Sequence, residues 1–243
     1  MSLWYNIFDW IYIMFTQKQF THKNVEVISD LLSEDTESGR YYILEGGVKL
    51  PSVTTVTGWK KTHIFEKWRR ENPKEAKRVT RRGNKIHSVI EDYVNNKEIV
   101  IKDLPALESE LFLQMKPEVD KIDNVRGCEL CLASENIGLA GRADCIAEFD
   151  GKLSIIDFKG STRKKYKGGI ENYFLQATAY SLMWQEMTKE KIEQVVILIG
   201  CETGDTQVFT DTPVNWVRTL RREIEEYNVA YPQKLQASST TLF

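Results

Sequence analysis

Residues 141–159 constrain this chain more than any other stretch, because two apolar runs carrying acidic side chains flank a single Asp-Gly pair. Asp150-Gly151 in that setting is the strongest short-range signal for a tight β-hairpin, since the favoured two-residue turn needs positive φ at both positions. The spacing predicts strands at about 140–149 and 152–159. Gly141-Arg142-Ala143-Asp144 then lies on the first, and Asp157-Phe158-Lys159 ends the second. Residues two apart on a strand share a face, so Asp157 and Lys159 point the same way. Carboxylates and an ammonium beside Ile146, Phe149, Ile155 and Ile156 are costly to bury unless they are paired or hold a cation. A divalent-metal site is one resolution of that cost, and it makes the chain a candidate for cutting phosphodiesters.

The rest of the chain frames this hairpin. A hairpin around Glu45-Gly46-Gly47 joins 40–44 to 48–51, and a short helix is read at 64–70. Pro73 suits the first turn of the next helix. Ile86, Val89, Ile90, Tyr93 and Val94 give 79–95 a clear apolar face, and a further helix spans about 106–121. Beyond a strand at 128–134 and the central hairpin lies a long helix at 171–188. Residues 194–200 are apolar on both faces, as in a buried central strand. An outer strand at 206–210 and a helix from Thr212-Pro213 to about Asn228 complete the order. Helix, three strands, helix, strand implies an α/β fold with a mixed central sheet flanked by helices. At 243 residues, 42% hydrophobic and 28% charged, the chain suits one large globular domain. The boundaries expected are an N-terminal extension at 1–39, one domain at 40–232 (helical at 60–121, core at 122–230) and a loose tail at 233–243.

The net charge of −2 hides a polarised map. Residues 60–85 hold eleven Lys/Arg against three Glu, while Asp30, Glu34, Asp35, Glu37 and Glu45 make an acidic N-terminal stretch. Such local fields suit a polyanionic ligand. Cys128-x-x-Cys131 has the look of a zinc half-site, but positions i and i+3 of a strand face opposite ways and no second pair completes a tetrahedron. No zinc is expected, and the cysteines read as small buried hydrophobes of a reducing compartment. The apolar first fifteen residues are too short to span a bilayer, Asp9 interrupts them, and no basic segment precedes them. Neither a signal peptide nor a membrane anchor is expected, and the expected location is cytoplasmic. Met14 is an alternative start.

Five elements occur in a telling order: Gly83-x-x-x-His87, Glu129, Gly141-x-x-Asp144, Asp157-x-Lys159 and Gln176-x-x-x-Tyr180. Together with Pro51-Ser52-Val53-Thr54-Thr55-Val56 they resemble the RecB-like branch of the PD-(D/E)XK nuclease superfamily over roughly residues 40–230. Within that branch the likeness is greatest to the mitochondrial genome maintenance exonucleases and related phage exonucleases. Asp-x-Lys alone carries almost no information, whereas the ordered set carries a great deal. The resemblance implies a PD-(D/E)XK core, an N-terminal helical arch built from the region 60–121, and Mg2+ or Mn2+ as cofactor. Some relatives hold an iron–sulfur cluster through cysteines downstream of the core; none follows Cys201 here, so no cluster is expected.

Glu129, Asp144 and Asp157 are hard oxygen ligands, with the Phe158 main-chain carbonyl and water to complete a shell. His87 adds a nitrogen that suits softer cations such as manganese; alone, it could equally be a satisfied core histidine. Glu135 is an alternative to Glu129. Lys159 would position water and offset phosphate charge, or form a surface salt bridge. The resemblance gives Gln176 a role in holding the lysine or nucleic acid, while Tyr180 fits either the site or plain packing. Ser161, Arg163, Lys164 and Tyr166 form a basic loop able to track a backbone and stack a base. Arg81, Arg82 and Lys85 would form the facing wall, with Trp68 a stacking platform or a core residue. Ser52 and Thr54 could bond phosphate or cap the following helix. The reading favoured is a metal-dependent exonuclease on single-stranded DNA with free ends, leaving 5′-phosphates, a monomer without a membrane partner that could serve replication or recombination proteins. The alternatives are a structure-specific endonuclease and a non-catalytic nucleic-acid-binding subunit.

Overall fold

The computed structural model describes residues 17–25 and 30–232. The apolar first fifteen residues and the tail (233–243), expected to be loose, lie outside the described residues. Strands β1 (Leu32–Thr36), β2 (Gly39–Ile43) and β3 (Lys49–Pro51) form a small antiparallel sheet. Helix α1 (Val53–Glu71) follows, then α2 (Pro73–Val94) and α3 (Ala106–Val119). The main sheet comprises β4 (Ile122–Ser134), β5 (Leu139–Phe149), β6 (Lys152–Ser161), β7 (Gln194–Cys201) and β8 (Gln207–Asp211), neighbours in that order. Helix α4 (Glu171–Thr188) crosses over between β6 and β7, and α5 (Val214–Ala230) is the last element among the described residues.

Asp150 and Gly151 take φ of 49° and 75°, and Phe149 pairs with Lys152 across them. Both central residues are left-handed, as a type I′ turn requires. The helical crossover makes β6 and β7 parallel, while every other pair in the sheet is antiparallel. The sheet is therefore mixed, with helices on both faces. Alternation along β6 and β7 sorts the core. Ile155, Val195, Ile197 and Ile199 pack with Phe174 and Trp184 of α4, Leu220 and Tyr227 of α5, and Val53 and Val56 of α1. Ile156, Phe158, Val196 and Leu198 face the other way, onto Ile86, Ile90 and Tyr93 of α2 and Leu111, Phe112 and Met115 of α3. A strand such as β7, buried on both faces, has to read as a continuous apolar run.

Three elements depart from the expected bounds, and one of them is β4, which begins at Ile122, six residues before the expected start at 128, with a register shift between Asp123 and Gly127. Helix α1 begins at Val53, eleven residues before the expected start at 64. Its first turns hold Val53, Thr54, Thr55, Val56, Thr57 and Gly58, all poor helix formers. The Ser52 cap and the burial of Val53 and Val56 override that preference. Strand β1 was not expected, because Leu32-Ser-Glu-Asp-Thr lacks strand periodicity; it is an exposed edge held by pairing to β2. Residues 60–74 are exposed throughout, so the end of α1 and the start of α2 stand clear of the core. Among the described residues no helix is long and apolar enough to cross a membrane.

Candidate metal and active site

The ladder between β5 and β6 runs from Phe149↔Lys152 to Cys145↔Ile156. One step beyond, the Asp144 carboxylate replaces a backbone acceptor: its Oδ2 takes the Phe158 N–H at 2.9 Å. The same oxygen lies 3.5 Å from His87 Nδ1. His87 arrives from α2, with its ring edge-on to that of Phe158 at 6.4 Å between centroids. Phe158 thus meets Asp144 through its amide and His87 through its ring.

Glu129 lies opposite this point on β4. Ligand atoms of His87, Glu129 and Asp144 all fall within 4.8 Å of one another. Glu129 has φ of 53°, a left-handed backbone within a strand, and such strain persists only where surrounding contacts hold it. Arg142 supplies one of them, donating to the Glu129 carbonyl at 3.1 Å with its Nε 3.9 Å from the carboxylate. Burial pushes the Glu129 carboxyl above its usual range, and the neighbouring Asp144 adds to this.

Asp157 and Lys159 occupy the other side of β6, beneath α4. Lys159 Nζ is 2.5 Å from Asp157 Oδ1, and Gln176 donates to the same oxygen at 3.1 Å. Asp157 Oδ2 is buried without a hydrogen-bond partner among the described residues. Burial pushes Asp157 up to about 7, against the pull of Lys159. For Lys159 burial acts downward, but Asp157 and Asp144 outweigh it and hold the ammonium above its usual value. Tyr173 places its ring 5.3 Å from that ammonium. Tyr180 is buried one turn after Gln176 and packs on Gly141, where an added Cβ would lie 2.9 Å from its hydroxyl. Gly141 is therefore the residue that lets α4 approach β5 beside Asp144.

The donor set, one imidazole and three carboxylates, fits a divalent cation that accepts oxygen and nitrogen. The orphaned Asp157 oxygen strengthens the fit, because a buried carboxylate oxygen without a donor is expensive unless a cation satisfies it. Asp157 stands outside the His87–Glu129–Asp144 trio because alternation sends Asp157 and Phe158 to opposite faces. Asp144, which raises both Asp157 and Glu129, links the two groups.

Two adjoining open cavities lead here along α2. One, of about 420 Å3, includes His87, Glu91 and Glu129 in its lining. The other, of about 960 Å3, includes Arg69, Lys77, Arg81 and Lys85. Thr80, Asn84 and Ser88 line both, so a basic groove runs into the carboxylate site. Of the side chains expected to meet nucleic acid, Arg81 and Lys85 line this groove. Trp68 is 38% exposed beside exposed Ile64 and Phe65, and Tyr166 is 76% exposed. Arg163 is exposed, and Lys164 is paired with Asp205 at 3.0 Å. Three others are turned inward. Arg82 is buried against Glu202, Ser161 is buried and donates to the Arg163 carbonyl, and Ser52 is buried, accepting from the Thr55 amide as the α1 cap. Thr54 beside it is exposed. Glu91, Arg142, Tyr173 and Glu202 were not singled out from sequence. The spacing of Glu91 four after His87, and of Tyr173 three before Gln176, could have marked the first and third as same-face neighbours.

Residues 59–237 match the family model of the PD-(D/E)XK nuclease superfamily. A curated human relative, mitochondrial genome maintenance exonuclease 1, is 27% identical over 142 residues. That match covers 57% of this chain and 41% of the relative, so the chain matches about two fifths of the length of that protein. The crystal structure of a candidate exonuclease from Eubacterium rectale aligns with a TM-score of 0.44 at 13% identity, over 63% of this chain and 65% of that one. With the family model covering most of the chain, the chain belongs to the PD-(D/E)XK nuclease superfamily.

Proposed function

We propose that this nuclease is a divalent-metal-dependent exonuclease that acts on single-stranded DNA with free ends and leaves 5′-phosphates. One observation carries the metal dependence: His87, Glu129 and Asp144 cluster, and across the strand the buried Asp157 Oδ2 has no hydrogen-bond partner among the described residues. These four side chains would hold the cation. When bound, it supplies Lewis acidity toward the scissile phosphate and lowers the pKa of water. Gln176 fixes the Asp157 carboxylate, leaving Oδ2 available. Lys159, kept charged by Asp157 and Asp144, offsets phosphate charge and orients the attacking water. Attack at phosphorus with departure of the 3′ oxygen leaves the phosphate on the 5′ end. Arg69, Lys77, Arg81 and Lys85 bind the backbone along the groove.

Exonuclease action is supported by the named activity of the human relative. The projecting helical segment 60–74, able to guide a free end toward the site, adds to it. Single-strand preference is supported by exposed Trp68 and Tyr166, since stacking needs unpaired bases. The test offers end-labelled linear and closed circular single strands with magnesium, manganese or chelator. The expected result is loss of linear DNA alone, abolished by chelator and by Lys159→Ala or Asp157→Ala. Equal digestion of the circle would establish an endonuclease, and binding without cleavage would establish a non-catalytic subunit.

A further inference from the structure

Arg82 immediately precedes the glycine of Gly83-x-x-x-His87, and it is the first buried residue of α2. Its side chain is only 3% exposed. Nη2 donates to the Gly160 carbonyl at 3.1 Å, while Nη1 donates to Glu202 and, at 3.4 Å, to Thr162 Oγ1. Gly160 directly follows Lys159. A Cβ there would lie 3.1 Å from Arg82 Nε, so glycine allows the close approach. Glu202 follows β7 and also accepts from Arg78 at 2.9 Å. Burial acts to raise the Glu202 carboxyl, but Arg78 and Arg82 hold it below the usual range.

One buried guanidinium thus joins three pieces of backbone: α2, the end of β6 beyond Lys159, and the turn after β7. His87 stands five residues further along α2, about one and a half turns. The part of α2 before Arg82 holds no buried residue, so the helix enters the core at this contact. A planar fork of donors suits the task, because it fixes direction as well as distance. An apolar side chain could fill the space without burying charge, but it could not meet the Gly160 carbonyl or Glu202.

We propose that Arg82 is a positioning residue for this site. With Glu202 it sets the spacing between the helix that carries His87 and the strand that carries Lys159, and so holds the cation ligands and the lysine in one register. This inference rests on the nuclease reading above. It separates Arg82 from Arg81 and Lys85, which face the groove.

The experiment compares wild type, Arg82→Lys, Glu202→Gln and Lys85→Ala. It reads thermal stability, manganese affinity of the DNA-free protein, kcat and KM on linear single strands, and the salt dependence of DNA affinity. Arg82→Lys is expected to weaken manganese binding by about tenfold or more. It should lower kcat by about 10²-fold with KM unchanged. Its salt slope should match wild type, whereas Lys85→Ala lowers the slope by about 1. Glu202→Gln, which keeps the shape of its side chain, should repeat the Arg82→Lys pattern and decides the matter if the lysine variant fails to fold. A lowered salt slope in Arg82→Lys would make Arg82 a phosphate contact. Wild-type manganese affinity and kcat in a merely less stable variant would make it a packing residue. Either result overturns the proposal. If wild type cleaves no DNA, the nuclease reading fails, and manganese affinity still decides the role of Arg82.

Discussion

Asp144 Oδ2 accepts the Phe158 amide proton at 2.9 Å and lies 3.5 Å from His87 Nδ1. One oxygen therefore does two jobs, ending the β5–β6 ladder and facing the imidazole. The two can be separated by substitution. Asp144→Asn keeps an acceptor for Phe158 but loses the charge, so stability should stay near wild type while cleavage falls by about 10²-fold or more. Asp144→Ala leaves the buried amide unpaired and should cost a further 1–3 kcal/mol or so of stability. Denaturant titration of both variants, beside cleavage rates, checks this.

Glu129 holds a left-handed backbone that an L-residue adopts at a cost of about 1–2 kcal/mol. Glycine carries no such penalty. Glu129→Gly should therefore be more stable than Glu129→Ala by about 1 kcal/mol, with both variants losing manganese affinity. Arg142→Gln should weaken manganese binding as well, because it releases the Glu129 carbonyl and carboxylate. Urea denaturation and manganese titration read these effects. Equal stability of the glycine and alanine variants would count against the strained backbone.

Gly141→Ala tests the packing beneath Asp144. The added Cβ would lie 2.9 Å from the Tyr180 hydroxyl and 3.0 Å from its ring, so strand or ring must move. The expected loss is about 1–3 kcal/mol of stability, with weaker manganese binding. Thermal denaturation with and without manganese measures both.

Asp211 contributes a pH dependence to stability. Burial acts to raise its carboxyl, but Lys167, Asn215 and the Thr212 amide outweigh it and hold the group down at about 2. A carboxyl depressed in the folded state stabilises fully above its unfolded value, and that stabilisation fades as pH falls through the folded value. Asp211→Asn should cost about 1–2 kcal/mol at pH 7, with the difference from wild type shrinking between about pH 4 and pH 2. Denaturation curves across that range test it. A difference that is constant with pH would show that the Lys167–Asp211 pair does not set it.

Local chemistry made much of this molecule legible. Asp150-Gly151 specified its turn without help from the rest of the chain. The apolar run of β7 announced a strand covered on both faces. The order of acidic, imidazole and amide side chains pointed to a convergent site, and His87, Glu129 and Asp144 do meet. What could not be read depends on partners distant in sequence. Arg82 belongs to a basic run, and partners 78 and 120 positions away, the Gly160 carbonyl and Glu202, turn it inward. The start of α1 contradicts its own residue preferences and is set by what Val53 and Val56 pack against. The placement of Asp157 on a different face from Phe158 was implicit in strand alternation. That His87 would reach the Phe158 side depended on α2 packing, which the sequence does not encode locally.

The most direct test of the central claim is the anomalous scattering map of crystals equilibrated with manganese. The account predicts a peak bounded by His87, Glu129, Asp144 and the Oδ2 side of Asp157, at coordination distances, which disappears in Asp144→Asn crystals treated alike. Well-diffracting crystals with no peak among these side chains at saturating manganese, or with manganese bound only elsewhere, would contradict it.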